Sequence, residues 1–365
     1  MIDDNFIPPR FIETVSGTIC EFNMLEQEAS VLAAVSGGPD SVALVLCLLA
    51  LKDKYAVTIG IAHLNHLLRK EESLRDEAFT KELADRFGLP FHSEQVDVTA
   101  YAKTHRLSIE EAGRDVRYRF FNQTCARHGY TKIATGHNKN DTAELMLMNL
   151  LRGAGPKGLS GIPPIRDGRY IRPLIRISKQ EILEFLSLQN QPYMTDSSNK
   201  DTAYLRNKVR NQLVPHLQSE YNPKIIDALA RLSTILRQEE DFWDIETKKQ
   251  LNRCLIKSET ASIVLSKPLM SGLHPALLKR VIRKAIKTVK KDLKRISMAH
   301  MDDIITFCFQ DNSGISLDLP GRIRIYKDTH VITIKKENCP LRELGKKEKQ
   351  LRRTAQKKQD KPESF

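Results

Sequence analysis

The stretch VLAAVSGGPDS, residues Val31 to Ser41, decides the fold of this chain. A short apolar segment leads into a glycine turn and then into a helix. Glycines let the backbone approach an anion closely, and the free amides at a helix N-terminus favour negative charge. The stretch therefore predicts a strand, a phosphate-binding loop and a helix. The predicted loop residues are Ser36, Gly37, Gly38, Pro39, Asp40 and Ser41.

This loop differs from the phosphate loop that ends in Gly-Lys-Ser/Thr. It contains no lysine for β- and γ-phosphates, and it offers Asp40 instead, a candidate Mg²⁺ ligand. The pattern therefore favours a nucleotide site whose chemistry is not γ-phosphoryl transfer. A glycine-rich turn without a ligand is the alternative from these residues alone.

Composition indicates a globular chain of two or three domains, with 41% hydrophobic and 28% charged residues. The longest apolar run, Val42 to Leu51, is too short to span a bilayer. The N-terminus lacks the basic-then-apolar pattern of an export signal. Six cysteines without a CxxC pair indicate neither a disulfide framework nor a zinc or iron–sulfur site. We expect a cytoplasmic protein with no membrane partner.

The net charge of +13 indicates a polyanionic partner, most often nucleic acid. Residues 276–297 carry nine Lys/Arg against one acid, and residues 341–365 carry nine against four. The first segment has an apolar stripe and predicts a helix with a phosphate-binding face. A merely solvated face is the alternative. The second segment predicts a disordered basic tail.

Strand-like and helix-like segments alternate in the first half. Strands are predicted at 30–35, 57–62, 91–98 and 132–135, and helices at 41–52, 71–87, 108–128 and 141–151. This alternation predicts an α/β fold, a Rossmann-like parallel sheet with helices on both faces and ligands at the carboxyl ends of its strands.

A further capped helix is predicted at Ser178–Asn190, and a domain boundary near 215–223. A mainly helical C-terminal domain should follow. Its predicted helices are 224–237, 239–255 and 275–289, and its predicted strands are 315–319 and 323–334.

Two polar motifs carry charged side chains at helical spacing. In EEAGRDVRY, Arg114 and Arg117 share one helix face, and one of them could stabilise phosphate charge. In GHNKNDTAE, a helix would point His137, Asp141 and Glu144 the same way, which suits a Mg²⁺ site or an amine-binding pocket. Solvated helix faces are the alternative for both motifs.

The ordered motifs SGGPDS, HLNHLLR, EEAGRDVRY, GHNKNDTAE and LLRGAGPKGLSGIP resemble the bacterial tRNA(Ile)-lysidine synthetase family of PP-loop ATP pyrophosphatases. The resemblance continues through YIRPL, PYMTDSSN and DTAYLRNKVR. It covers residues 31–217 densely and 245–310 weakly. It implies a PP-loop catalytic domain over 1–217, a mainly helical tRNA-binding domain over 218–340 and a tail over 341–365.

The resemblance also implies a two-step ligation. ATP would adenylate the C2 carbonyl of the wobble cytidine, position 34, of the CAU-anticodon tRNA(Ile), releasing pyrophosphate. Free L-lysine would then displace AMP through its ε-amine and give lysidine. The partners would be this tRNA and lysine, with ATP and Mg²⁺ as cofactors. The oligomeric state stays open, with a homodimer as one option.

Residue roles follow from the same resemblance. Residues Ser36–Ser41 would hold pyrophosphate with Asp40 on Mg²⁺, and either Arg114 or Arg117 would stabilise the transition state. Asp141 and Glu144 would hold or deprotonate lysine, with His137 assisting. The expected nucleotide contact is His63. The expected substrate or tRNA contacts are Asn65, His66, Arg69, Arg152, Lys157, Arg206, Lys284, Lys287 and Lys291.

Other functions stay open at this point. A PP-loop tRNA thiolase making 2-thiocytidine would need catalytic or cluster-binding cysteines, often as CxxC. A non-catalytic RNA-binding module would not need Asp40, Asp141 and Glu144, which are all present. The chain ends soon after its predicted second domain, so how it would read an acceptor stem is open.

Overall fold

The computed structural model describes residues 9–68, 70–195, 205–310 and 314–339. The predicted tRNA contact Arg69, the motif residues 196–204 and the predicted tail 341–365 lie outside these ranges. The chain divides into two compact units, residues up to 238 and residues from 239. The domain bounds implied by the resemblance stay a prediction.

A six-stranded sheet forms the centre of the first unit. Its strands are β1 (Ser30–Ala34), β2 (Thr58–Asn65), β3 (Phe91–Gln95), β4 (Lys132–Thr135), β5 (Ile165–Arg166) and β6 (Tyr170–Ile171). They lie in the order β3-β2-β1-β4-β6-β5. All neighbours pair in parallel except β5, which is antiparallel to β6. The predicted parallel sheet is confirmed.

Helices precede, separate and follow these strands along the chain, and the last of them continues into the second unit. They are α1 (Pro9–Glu21), α2 (Pro39–Ala50), α3 (Lys52–Tyr55), α4 (Lys70–Arg86), α5 (Val98–His105), α6 (Ile109–His128), α7 (Lys139–Leu151), α8 (Pro156–Leu159), α9 (Lys179–Leu188), α10 (Leu205–Lys208), a π-helical turn (Val209–Leu213), α11 (Val214–Glu220) and α12 (Ile225–Cys254). The apolar run of α2 from Val42 to Leu48 is buried in the main core. This burial fixes the loop before α2 at the edge of the sheet.

Two predicted strand ends are wrong. Strand β2 extends to Asn65, because it keeps its parallel register with β3 from Ile61 onwards. His63 and Asn65 therefore lie in a strand and not in a loop. Strand β3 ends at Gln95, and Val98 begins α5. The Asp97 side chain caps that helix by accepting a hydrogen bond from the Ala100 amide at 2.9 Å.

The second unit combines helices with a sheet. Its strands are β7 (Leu255–Glu259), β8 (Ser262–Ser266), β9 (Ile315–Leu319), β10 (Ile323–Lys327) and β11 (Val331–Lys336), and its helices are α13 (Lys267–Ser271), α14 (Pro275–Lys290) and α15 (Met298–Phe309). The strands form one antiparallel sheet in the order β7-β8-β11-β10-β9.

The predicted helical C-terminal region is present, but its details differ. The two helices predicted over 224–255 are one continuous helix, α12. The single strand predicted over 323–334 is the hairpin β10–β11, and the hairpin β7–β8 was not predicted. Helix α14 buries the apolar stripe expected of it. In the described ranges, no helix is both long enough and apolar enough to cross a membrane.

Candidate active site

The loop between β1 and α2 has the geometry of an anion cradle. Gly37 has φ +87°, which an L side chain rarely adopts, and its carbonyl accepts a hydrogen bond from the Met194 amide at 2.9 Å. The Ser41 hydroxyl donates to the Gly38 carbonyl at 2.8 Å and accepts from the Ser36 amide at 3.2 Å. These contacts hold the loop in place through the chain's own atoms.

Strand β4 approaches this loop closely through Gly136. A Cβ on Gly136 would lie 2.9 Å from the carbonyl carbon and oxygen of Asp40 and 3.1 Å from the Ser41 amide nitrogen. Only a residue without a side chain permits that approach. The close contact places the residues that follow β4 beside the predicted phosphate loop.

Lysine does reach Asp40, but it comes from a distant part of the chain. The ammonium group of Lys179, the first residue of α9, donates to both Asp40 carboxylate oxygens at 2.8 Å. Asn138 Nδ2 donates to Asp40 Oδ1 at 3.0 Å. Lys179 follows Asp40 by 139 residues, so no local motif could reveal it. The carboxylate of the loop motif is thus paired with a lysine from a different helix.

The two carboxylates of α7 lie inside the first unit. Asp141 forms a capping box with Asn138: its Oδ2 accepts from the Asn138 amide at 3.0 Å, and its own amide donates to Asn138 Oδ1 at 3.1 Å. The side chains of Asp141 and Glu144 are 10% and 4% exposed. Asp141 therefore serves the helix start with one oxygen and has the other oxygen available for a cation.

Two arginines already occupy these carboxylates. Arg206 donates to Asp141 Oδ1 at 2.6 Å and to Glu144 Oε2 at 3.1 Å. Arg210 donates to Glu144 Oε1 at 2.6 Å and to Asp141 Oδ1 at 3.2 Å. The carboxylates are buried, while the arginines are 46% and 37% exposed. Sequence reasoning placed Arg206 on substrate or tRNA and missed Arg210, since the partner acids lie on a helix far earlier in the chain.

His137 is a neutral group at pH 7. Its Nδ1 lies 2.9 Å from Thr135 Oγ1. Burial is the largest cause that lowers the pKa of His137 to about 4; Asp141 opposes the shift, and nearby arginines, among them Arg172, add to it. At neutral pH this ring is therefore unprotonated and a weak base.

Two predicted residues, His63 and Asn65, lie in β2 and make different contacts. His63 is buried, and its Nδ1 lies 2.9 Å from the Val35 carbonyl, as a donor requires. Burial lowers the pKa of His63. Asn65 is also buried, and it donates to Glu77 Oε2 at 3.0 Å and accepts from the Leu67 amide at 3.0 Å. Asn65 therefore shapes the chain after β2.

Of the two arginines predicted on α6, Arg117 lies nearer the cavity. One guanidinium nitrogen of Arg117 is 3.4 Å from Nε2 of His66, whose pKa burial and the Arg117 charge lower to about 4. Arg114 instead donates to the Tyr118 hydroxyl at 3.3 Å. The two side chains therefore do not serve the same contacts.

A cavity of about 640 Å³ joins the loop to the strand ends. The predicted residues that line it are Ser36, Gly38, Pro39, Asp40, His63, Asn65, His66 and Glu144. Lys179 and Arg210, which sequence reasoning missed, also line it. Among the predicted residues of the first unit that the structure describes, those outside the lining are Gly37, Ser41, Arg114, Arg117, His137, Asp141, Arg152, Lys157 and Arg206.

The side chains at the cavity fit a magnesium ion that is bound partly by the protein and partly by the phosphates of a nucleotide. Mg²⁺ at nucleotide sites is held by one or two carboxylates, and phosphates and waters complete its shell. Asp40 provides one carboxylate, 33% exposed, at the cavity wall. In the part of the chain that the structure describes, no cluster of three His, Cys, Asp or Glu side chains could hold a metal alone.

The basic helix α14 of the second unit is partly neutralised. Lys284 lies 3.7 Å from Asp244, and Arg280 forms a two-pronged ion pair with Glu240 at 2.5 and 2.9 Å. The acids come from α12, so counting charges within residues 276–297 overstated the surplus. Among the described residues, Lys287 and Lys291 are exposed and pair with no carboxylate.

Comparisons with known proteins bear on the family of this chain. A PP-loop domain model matches residues 12–217. The chain is 34% identical over 343 residues to the tRNA(Ile)-lysidine synthase of Clostridium acetobutylicum, which covers 93% of this chain and 73% of that protein. The chain belongs to the tRNA(Ile)-lysidine synthase family. Membership in this family makes it an enzyme of the ligase type and confirms the predicted resemblance.

Other relatives of the family agree. The synthase of Geobacter sulfurreducens is 38% identical over 306 residues, covering 84% of this chain and 64% of that protein. Among solved structures, the U34-tRNA thiolase NcsA from Methanococcus maripaludis matches with a TM-score of 0.51 and 17% identity, over 62% of this chain and 78% of that one. The similarity to this thiolase structure concerns the fold alone.

Proposed function

We propose that this chain ligates L-lysine to C2 of the wobble cytidine of a CAU-anticodon tRNA(Ile), with ATP as the activating substrate. One observation carries the proposal: a phosphate loop with the Asp40–Lys179 pair and the buried Glu144 carboxylate line the same cavity. Its relatives are named for this product. We place the activity in the cytoplasm, where tRNA and ATP are present together.

In the first step, the C2 carbonyl oxygen of cytidine attacks the α-phosphorus of ATP, and the bond to the β-phosphate breaks. The loop Ser36–Ser41 holds the departing pyrophosphate by its amides and helix N-terminus. The Lys179 ammonium moves from Asp40 to the pyrophosphate and stabilises its negative charge, since the loop itself contains no lysine. Mg²⁺, held through Asp40, would offset phosphate charge when bound.

Arg117 is the better candidate for stabilising charge at the α-phosphate, because it contacts the cavity-lining His66. A guanidinium carries its charge at any pH of interest and presents paired donors to phosphate oxygens. Arg114 faces Tyr118 and takes no part in this step.

In the second step, the ε-amine of lysine attacks C2, a carbon–nitrogen bond forms, and AMP leaves with the oxygen. The carboxylates Asp141 and Glu144 bind the incoming ε-ammonium, which replaces one guanidinium. Exposure favours this exchange: the arginines are on the solvent side and the carboxylates are inside. The ammonium must lose a proton before attack; the ring of His137, whose pKa of about 4 makes it a weak base, can relay this proton towards solvent but does not keep it at neutral pH.

The RNA substrate suits both the charge and the cavity. An anticodon loop presents unstacked bases that proteins can receive in a pocket. The +13 charge attracts the phosphate backbone. A thiolase is less well supported, because the chain contains no CxxC pair. Burial also raises the pKa of Cys125 to about 11, which leaves its thiol unreactive.

Separating the half-reactions tests the proposal. Without lysine, ATP and labelled pyrophosphate should exchange only when CAU-anticodon tRNA(Ile) is present, because the adenylated base forms reversibly. The matched control is the same tRNA with uridine at position 34, which should support no exchange. Exchange that proceeds without tRNA, or equally with the control tRNA, would contradict adenylation of cytidine.

A further inference from the structure

Arg172 is a buried cation without an acidic partner among the described residues. The residue follows β6 and is 3% exposed. One guanidinium nitrogen donates to the Pro163 carbonyl at 2.5 Å, and its Nε has no hydrogen-bond partner in the part of the chain that the structure describes. A buried charge is costly unless it is paired. The arrangement therefore lacks an anion.

Two more arginines stand around Tyr118, beside Arg172. The guanidinium carbons of Arg114 and Arg166 lie 4.9 and 4.8 Å from the centre of the Tyr118 ring. Both arginines and Tyr118 are close enough to act on the charge of Arg172. Tyr170 packs edge-on against Tyr118, with ring centres 4.8 Å apart, and holds it in place.

The cluster carries more positive charge than its acids can offset. Asp167 pairs with Arg166 at 3.1 Å, but this acid is 71% exposed and follows directly in sequence. Exposed pairs of this kind contribute little. No carboxylate pairs with Arg114 or Arg172 within the described ranges. Three guanidinium groups therefore face one exposed acid.

The cluster lies beside the candidate active site. Strand β6 pairs in parallel with β4, with Ile171 opposite Ala134, so Arg172 and His137 follow at the same edge of the sheet. Arg172 is also one of the charges that act on His137. On the other side, α6 carries Arg114 one turn before Arg117, the neighbour of the cavity-lining His66.

We propose that Arg172, Arg114 and Arg166 bind a phosphodiester of the RNA strand next to the base that is modified. The inference rests on the proposed function for its substrate, an RNA loop. Guanidinium groups match phosphate oxygens in paired contacts. One arginine would be enough for the carboxylate of lysine, whereas three suit a strand that carries a charge at every nucleotide. Arg172 fixes the position of the phosphate from the buried side, and the more exposed Arg114 and Arg166 contact the strand from the solvent side.

Binding measurements without ATP or lysine test this site separately from catalysis. The probe is the anticodon stem-loop of the CAU tRNA, with one neutral methylphosphonate placed in turn at each loop phosphate. We expect Arg166→Gln and Arg172→Lys to weaken binding of the all-phosphate stem-loop by about tenfold. At one phosphate position the methylphosphonate should weaken binding by the wild type but add nothing in either variant.

Matched controls keep the test decisive. Arg119→Gln removes an exposed arginine of α6, the helix that carries Arg114; Arg119 pairs with Glu94 at 3.7 Å, and this variant should retain the full methylphosphonate effect. Arg166 is 39% exposed, so its variant should fold even where an Arg172 variant does not. Additive effects at every phosphate would overturn the proposal. So would variants that bind the stem-loop like the wild type and, in a separate lysine-transfer assay, raise only the KM for lysine, which would assign the cluster to the amino acid.

The outcomes also separate this site from the proposed function. The protein could show a methylphosphonate position that weakens binding by the wild type but not by the variants, and still form no lysidine. That result would support the phosphate site and contradict the ligase activity. Lysidine formation without such a position would support the ligase activity and contradict the phosphate site.

Discussion

Replacing Gly136 by alanine should damage the phosphate loop through a single methyl group. The new Cβ would lie 2.9 Å from the carbonyl carbon and oxygen of Asp40, backbone atoms that cannot swing aside. Strand β4 or the start of α2 must therefore move by several tenths of an ångström. Overpacking of this kind costs about 1–3 kcal/mol. For a unit of this size, that corresponds to a fall of about 2–12 °C in melting temperature.

The same displacement should weaken nucleotide binding, because the amides that hold phosphate belong to the segment that moves. We expect at least a tenfold rise in the Kd for ATP, which corresponds to about 1.4 kcal/mol. Calorimetric titration and thermal melting measure the two effects.

Gly17→Ala is the matched control for Gly136→Ala. Gly17 lies in α1, and a Cβ added there would have nothing within 4 Å, so alanine should raise stability by about 0.5–1 kcal/mol. If Gly136→Ala kept both the melting temperature and the ATP affinity of the wild type, the close approach of β4 to the loop would be refuted.

Four further predictions concern charged or titratable side chains. Lys179→Met should slow pyrophosphate release at least tenfold in a rapid-quench assay, yet change stability by about 1 kcal/mol or less, because the ion pair is partly exposed. His137 has a folded pKa of about 4, below its unfolded value of 6.5, so the unfolded chain binds more protons between these values and stability falls as pH falls through this range. Urea unfolding at a series of pH values should show that His137→Asn reduces this loss of unfolding free energy by about 1–3 kcal/mol. An unchanged loss would contradict the lowered pKa of His137. Arg206→Gln should lower the KM for lysine, because the guanidinium competes with the ammonium for Asp141 and Glu144; a raised KM would contradict this exchange. Neutralising Lys287 and Lys291 should reduce the salt dependence of tRNA binding by about 0.7–0.9 for each phosphate that is no longer bound; an unchanged slope would return α14 to a solvated face.

The sequence predicted the parts of the fold that local patterns encode. The apolar run before Ser36 and the glycines after it lead correctly to β1, the loop and α2. The alternation of strands and helices leads to the parallel sheet. The same patterns missed where strands stop, since His63 and Asn65 stay in β2 only because β3 lies alongside.

The sequence predicted the acidic residues of the candidate site but not all of their cationic partners, because these partners come from distant segments. Asp40, Asp141 and Glu144 stand in motifs, but their partners Lys179 and Arg210 lie 139 and 66 or more residues away. No spacing rule connects residues so far apart. The basic helix shows the same limit from the other side, since the acids that neutralise part of its charge lie on α12.

Transfer of labelled L-lysine to tRNA is the direct test of the proposed ligation. With ATP and unmodified CAU-anticodon tRNA(Ile), we expect one lysine per tRNA, located at position 34, with AMP and pyrophosphate formed in equal amounts. The tRNA with uridine at position 34 should accept none. Formation of AMP and pyrophosphate without lysine in the tRNA, or equal labelling of the uridine control, would contradict it.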